Sequence, residues 1–159
     1  MGKMNVCQDI HIVPVTSTAS ISADLVCPHI NMKEYEKVEF ILHLGALATA
    51  NFVLFVTQSA VTAGSSATAI AARYRKTAVG GTDTLGDVTA LPATGLTLTD
   101  GTDDLLTFII DVDSSDMTTE DKPYVGLFFD DPGSADAVVT VIALCWPKYP
   151  KETNANALT

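Results

Sequence analysis

The sequence predicts an all-β fold, a jelly-roll-like antiparallel β-sandwich of about eight to ten short strands in a single domain with flexible termini. Three observations predict it. Apolar and polar residues alternate over strand-length runs, most cleanly in Val38-Glu-Phe-Ile-Leu-His-Leu44, where Val38, Phe40, Leu42 and Leu44 share one face. Gly, Pro, Asp and Ser clusters recur between such runs at roughly ten-residue spacing, as turns of a sandwich do. The stretch Pro123 to Trp146 reads as two apolar strands, Tyr124–Phe129 and Val138–Trp146, whose β-branched and aromatic residues suit a pleated surface.

In chain order, Ile10–Val15 is a first extended segment, and Pro14, which has no N–H to give a ladder, marks an edge strand or arm. Ser20–Cys27 is a second strand, ended by Pro28. Between Asn31 and Lys37 the chain is polar, with Met32 and Tyr35 three apart; it is a single helical turn pinned at two points, or a loop. Val38–Leu44 follows and ends at Gly45, with Phe52–Gln58 returning as its partner. Ala63–Lys76 has two readings. Alanine and arginine favour a helix that Ser65 or Ser66 would cap, whereas a strand after a short turn places Ile70, Ala72 and Tyr74 on one face and Arg73 and Arg75 on the other. The strand is preferred because every neighbour is β.

Gly80, Gly81 and Gly86 punctuate a loop, and Asp87–Leu91 and Gly95–Thr99 are short strands or extended turns. Leu105–Asp113 is a long strand with Leu106, Phe108, Ile110 and Val112 inward. The final two strands are expected to form a hairpin through Asp130–Ala137, with Pro132-Gly133 at its turn. Both faces of Val138–Trp146 are apolar, so each needs a cover: a second sheet on one side, and a neighbouring subunit, loop or arm on the other. Pro147 and Pro150 stop the strand. The organisation is thus an N-terminal arm and edge segment (1–19), a β-sandwich domain (20–146) and a flexible C-terminal tail (147–159).

The 159 residues suffice for one domain that buries about two thirds of its unfolded surface. Nineteen acidic against nine basic residues give a net charge of −10, which disfavours nucleic acid as a partner. The carboxylates gather in Asp100–Asp104, Asp111–Asp121 and Asp130–Asp136, a solvated rim. No apolar run reaches the roughly 20 residues of a membrane helix, and the N-terminus lacks the apolar core of a leader, so cytosolic synthesis with no membrane partner is expected. Cys7, Cys27 and Cys145 are odd in number and are expected to be reduced.

Chemistry is sparse. Cys7, His11, Cys27 and His29 match no familiar zinc spacing and read as ordinary surface or core residues, and His43 has no partner in sequence. The acidic loop Asp111–Asp121 is a calcium candidate, but without the oxygen spacing of an EF-hand it reads as a solvated turn capped by Asp113 or Ser114. No Gly-x-Ser-x-Gly elbow, Walker loop or dinucleotide fingerprint is present, so neither an enzyme nor a cofactor is expected. Arg73, Arg75 and Lys76, with Tyr74 between them, form the one basic cluster, suited to a carboxylate on a partner; Arg73, Tyr74 and Arg75 with Trp146 and Tyr149 are the candidate interface. The plain alternative is a strand edge blunted by charge.

Three stretches carry a resemblance: Ala67-Thr-Ala-Ile with Tyr74-Arg-Lys76 and Gly81–Ala90; Asp111-Val-Asp to Tyr124-Val; and Ala143-Leu-Cys-Trp-Pro-Lys-Tyr-Pro150. Over roughly residues 20 to 150 the chain resembles the small virion structural proteins of tailed bacteriophages, in particular jelly-roll head decoration or cement proteins. The resemblance implies a protein that binds the capsid exterior, bridges adjacent major capsid subunits as a dimer or trimer, and braces the DNA-filled head. Cys145 and Trp146 depart from the small or acidic residues that similar sequences carry before the proline, and no family role is transferred to them. Two alternatives are a neck, tail or fibre-base virion module, and a glycan-binding sandwich that stacks sugars on Tyr74, Trp146 or Tyr149.

Overall fold

The alternation read from the sequence becomes two facing antiparallel sheets. The computed structural model describes residues 9–48, 51–130, 136–149 and 157–158. Its strands are β1 (His11–Ile21), β2 (Leu25–Val26), β3 (Ile30–Asn31), β4 (Tyr35–Ala48), β5 (Phe52–Ser59) and β6 (Thr68–Ile70). They continue with β7 (Ala72–Lys76), β8 (Thr89–Leu91), β9 (Leu96–Leu98), β10 (Thr107–Asp113), β11 (Tyr124–Asp130) and β12 (Asp136–Pro147). The first sheet runs β1-β12-β4-β10-β7-β8 and the second β2-β11-β5-β6, with β3 pairing β11 and β9 pairing β5.

With β3, β7, β8 and β9 set aside as additions to the sheets, eight strands remain: β1, β2, β4, β5, β6, β10, β11 and β12. Taken in that order, the first sheet contains strands first-eighth-third-sixth and the second second-seventh-fourth-fifth. That is the strand order of a jelly roll, as expected. β7 and β8 widen the first sheet beyond β10, while β3 and β9 add short pairings to the second.

Between the sheets lie the expected inward sets. Val38, Phe40, Leu42 and Leu44 of β4 are fully buried, as are Ile110 and Val112 of β10 and Val139, Val141, Ala143 and Cys145 of β12. From the second sheet, Leu54, Val56, Val125, Leu127 and Phe129 meet them. Met32 and Tyr35 are both buried, anchoring a hydrogen-bonded turn in which the Glu34 amide donates to the Asn31 carbonyl at 3.2 Å. Ala63–Lys76 resolves as β6 and β7, the chain passing from the second sheet to the first at Ala71.

Several expectations are corrected. β11 and β12 form no hairpin: β11 pairs β5 in the second sheet and β12 lies between β1 and β4 in the first. The two strands instead face each other across the core, because each has an inward apolar set to bury and two other strands already occupy its edges. Pro132-Gly133 lies outside the described residues. β4 and β5 likewise belong to different sheets. Gly45 does not end β4; it sits at a register shift where β12 crosses so closely that an added Cβ would lie 3.2 Å from Val138 Cβ.

Pro14 does mark an edge strand, since β1 borders the first sheet, although the expected boundary at residue 19 falls within β1. At the other end Pro147 still pairs with Tyr35. Farther on, Ala157 is buried and its carbonyl accepts the Asn31 amide at 3.2 Å, so at least this point of the expected tail packs on the sandwich.

Candidate interface

The outward phase of the first sheet is where a sandwich ordinarily shows polar side chains to water. Here one outward row is apolar across four strands. Pro14 pairs with Ile142, Ile142 with Ile41, Ile41 with Ile109, and Ile109 with Arg75, so a line of apolar side chains ends in a guanidinium. The row is partly open to solvent: Pro14 and Ile142 are exposed, Ile142 at 37%, while Ile41 and Ile109 are half-buried, and Ile12, beside Leu144 in the next row, is 49% exposed.

That next row continues as Leu144, Glu39, Asp111 and Arg73. Its charges pair with one another, although the buried Asp111 Oδ1 has no hydrogen-bond partner of good geometry among the described residues. Lys37 Nζ lies 2.8 Å from Glu39 and 3.0 Å from Asp111, while Arg73 pairs with Asp111 at 3.4 Å and with Asp113. Partial burial works against the Lys37 ammonium, but its bonds to Glu39 and Asp111 outweigh that and raise its pKa. The Asp113 hydrogen bond and the Asp111 charge raise Arg73. On the opposite flank the row is Thr140, His43 and Thr107, with His43 Nδ1 3.0 Å from the Thr107 hydroxyl.

At the β7 end a cleft of about 350 Å³ opens in this face, bordered by Ile109, Arg75, Leu85, Val88 and the Lys37–Asp111–Arg73 charges. Leu85 and Val88 come from the connection between β7 and β8, which is held over the sheet by the Thr77–Leu85 bridge and by the Gly86 amide donating to the Lys76 carbonyl at 2.9 Å. Both are exposed.

The candidate residues separate on this geometry. Arg73 and Arg75 point outward on β7, as the alternation requires, and both reach the cleft. Arg73 is committed to Asp111 and Asp113, whereas Arg75 has no ion pair among the described residues. Tyr74 has the opposite phase: it borders the cleft, but its ring is stacked on Phe108 with centroids 6.2 Å apart, so it is no open platform for a partner. Trp146 shares the outer face with the arginines and carries the Lys37 ammonium 5.5 Å from its ring centroid. Tyr149, beyond β12, is 72% exposed.

What the sequence reading missed is the isoleucine row. Its signal lay in the supposedly polar phase of two strands, where Ile41 and Ile109 stand among charged and hydroxyl residues.

The second sheet has a smaller outward apolar group, Val26, Phe128 and Phe55, with the two phenylalanine rings stacked at 5.9 Å. Beside it the outward side of Thr57 and Gly126 is covered by His29, which is fully buried. His29 Nδ1 bonds the Cys27 carbonyl and Nε2 the Thr57 hydroxyl, each at 2.9 Å. Burial lowers its pKa, against the opposing effect of the Cys27 bond.

The metal candidates do not converge. His11 bonds Tyr35 Oη at 2.6 Å and His29 is engaged as above, while Cys7 lies outside the described residues. Burial pushes the Cys27 and Cys145 thiols up to about 12. Among the described residues no group of three or more His, Cys, Asp or Glu side chains is placed to hold a metal ion. In the acidic loop, Asp111 and Asp113 are held by Lys37 and Arg73, and Asp116 accepts the Asp113 amide at 2.9 Å, at the start of the short 3₁₀ turn Ser114–Asp116.

Comparison of the chain with protein-family models, with curated proteins and with solved structures found no match.

Proposed function

We propose that this chain is a non-enzymatic virion structural protein that binds the outer surface of a capsid, cementing or decorating adjacent major capsid subunits as a dimer or trimer. The observation that carries the assembly part of this reading is the partly exposed isoleucine row of the first sheet. A single exposed apolar residue is ordinary, whereas a contiguous apolar line across a sheet face suits a docking surface. The capsid address is supported by the resemblance of residues 20 to 150 to phage decoration proteins, and a jelly roll is among the folds that capsids use. Fold alone does not assign function.

The mechanism is summed burial. Each copy adds an interface of modest area, and symmetry repeats it over the shell, so small free energies per contact add up to a brace against internal pressure. The test is the copy number of this chain relative to the major shell protein in purified particles. Near-stoichiometric amounts are expected. A handful of copies would move the protein to a neck, tail or fibre base, and none would withdraw the virion reading.

A further inference from the structure

The row that ends in Arg75 has an unusual requirement. Covering Ile142, Ile41 and Ile109 with an apolar partner also strips water from the guanidinium at the end of the same row, and a desolvated charge without a counter-charge opposes association. Arg73 and Lys37 meet no such difficulty, because Glu39, Asp111 and Asp113 already hold them. Arg75 has no ion pair among the described residues, and it stands against Leu85, Val88 and Ile109 in the cleft. The partner that fits must bring the missing carboxylate.

We propose that the cleft at Arg75 is a recognition site for a peptide segment of the partner protein that presents one carboxylate beside an apolar side chain. The carboxylate meets the Arg75 fork, and the apolar side chain lies between Leu85, Val88 and Ile109. The number of charges follows from the neighbours. Two cations, Lys37 and Arg73, face three carboxylates, Glu39, Asp111 and Asp113, so the adjoining row is net negative and repels a polyanion. The net charge of −10 acts in the same direction at longer range. A single carboxylate in an otherwise neutral or basic segment is selected; a phosphate cluster or acidic tract is not. This inference rests on the reading of the first sheet as the assembly surface, and it names what that surface recognises.

The probes are N-acetyl-L-leucine, which carries an apolar side chain and one carboxylate, and N-acetyl-L-leucinamide, its neutral analogue. Each is titrated into the full chain while NMR follows the Arg75 Nε–Hε signal and the methyls of Ile109, Leu85 and Val88. The acid is expected to shift these signals saturably and to bind about tenfold more tightly than the amide. Arg75→Gln should bring the acid down to the level of the amide, and Arg75→Lys should retain part of the difference. Equal response to both probes, no saturable response, or shifts that map elsewhere would overturn the proposal. So would shifts of the same methyls on raising protein concentration alone, because the occupant would then be a second copy.

Particle binding of Ile142→Asp separates the two claims. Binding lost by that variant with no acid preference in the wild type sinks the carboxylate site and leaves the assembly surface standing. An acid preference with particle binding unaffected by Ile142→Asp does the reverse.

Discussion

His29 Nε2 lies 2.9 Å from Thr57 Oγ1, a hydroxyl that can donate or accept, so the tautomer of this fully buried imidazole is set at its other nitrogen. Its other nitrogen faces the Cys27 carbonyl, which can only accept, so Nδ1 carries the proton and Nε2 accepts from the threonine hydroxyl. The hydroxyl also lies within 3.4 Å of the Gly126 carbonyl; protonation would make Nε2 a donor and leave the hydroxyl to donate to that carbonyl alone. It would also bury a charge that no carboxylate pairs with among the described residues.

The pH dependence follows with a definite sign. The folded-state pKa of His29 is lowered by burial, so the unfolded chain takes up the proton first as pH falls. The stability is fully present above the unfolded value of 6.5 and is lost progressively from there down to the lowered folded pKa. His11, also lowered by burial, adds in the same direction. Melting temperature measured from about pH 7.5 down to about pH 5 should therefore fall, and His29→Gln should flatten the curve while lowering it at neutral pH. A melting temperature that stays level or rises over this range contradicts the assignment.

The same imidazole dictates two glycines. A Cβ at Gly126 would lie 2.5 Å from His29 Nδ1, and one at Gly64, where φ is +70°, 2.6 Å from His29 Cε1. Gly126→Ala should destabilise by about 1–3 kcal/mol through overpacking, and Gly64→Ala by more, since backbone strain is added. At Gly81 φ is +75° but nothing stands within 4 Å, so Gly81→Ala reports the backbone effect alone. Urea midpoints of the three variants give the comparison; a Gly126→Ala protein as stable as wild type would count against the packing described.

Asp103 is buried, and its carboxylate accepts from Lys76 Nζ at 2.7 Å and from the Thr99 amide at 2.8 Å. It thereby fastens the turn after β9 to β7. Removing it in Asp103→Ala strands a backbone donor, for an expected loss of about 1–3 kcal/mol. Glu39→Gln, in the half-exposed cluster with Lys37, should change stability by less than about 1 kcal/mol. Chemical denaturation distinguishes the two, and equal losses would mean that the Asp103 contacts contribute little.

Neighbours on β12 should behave as opposites. Val141 is fully buried and Ile142 is open to solvent. Val141→Ala is expected to lower stability by about 1–3 kcal/mol without altering surface association. Ile142→Asp should leave stability within about 1 kcal/mol and abolish binding to particles. Paired melting and co-sedimentation measurements read both properties.

Much of the fold was legible because burial has a period. The inward sets of β4 and β10 could be named residue by residue from alternation alone, and so could the outward direction of Arg73 and Arg75. Pairing was less legible. Tyr124–Phe129 and Val138–Trp146 are apolar on both faces, and nothing in such strands tells a hairpin from two members of opposing sheets. That choice depends on which edges β1, β4 and β5 have already taken. In the interface, charge drew attention to β7, but the row itself runs perpendicular to the chain and is assembled by register. Ile41 and Ile109 lie 68 positions apart in the numbering yet are direct partners.

The placement of β12 between β1 and β4 also governs when the molecule can become itself. Residues 136–147 form an interior strand of the first sheet, yet they follow every other strand in order of synthesis. Until they emerge, β1 has no neighbour and the apolar edge of β4 stands open. Pairings of such long sequence separation carry a large loop-closure entropy and are formed slowly. Without β12 the first sheet lacks both the link between β1 and β4 and the Ile142 position of its outward row. The outward row of Pro14, Ile142, Ile41 and Ile109 is thus complete only once the last strand is in place.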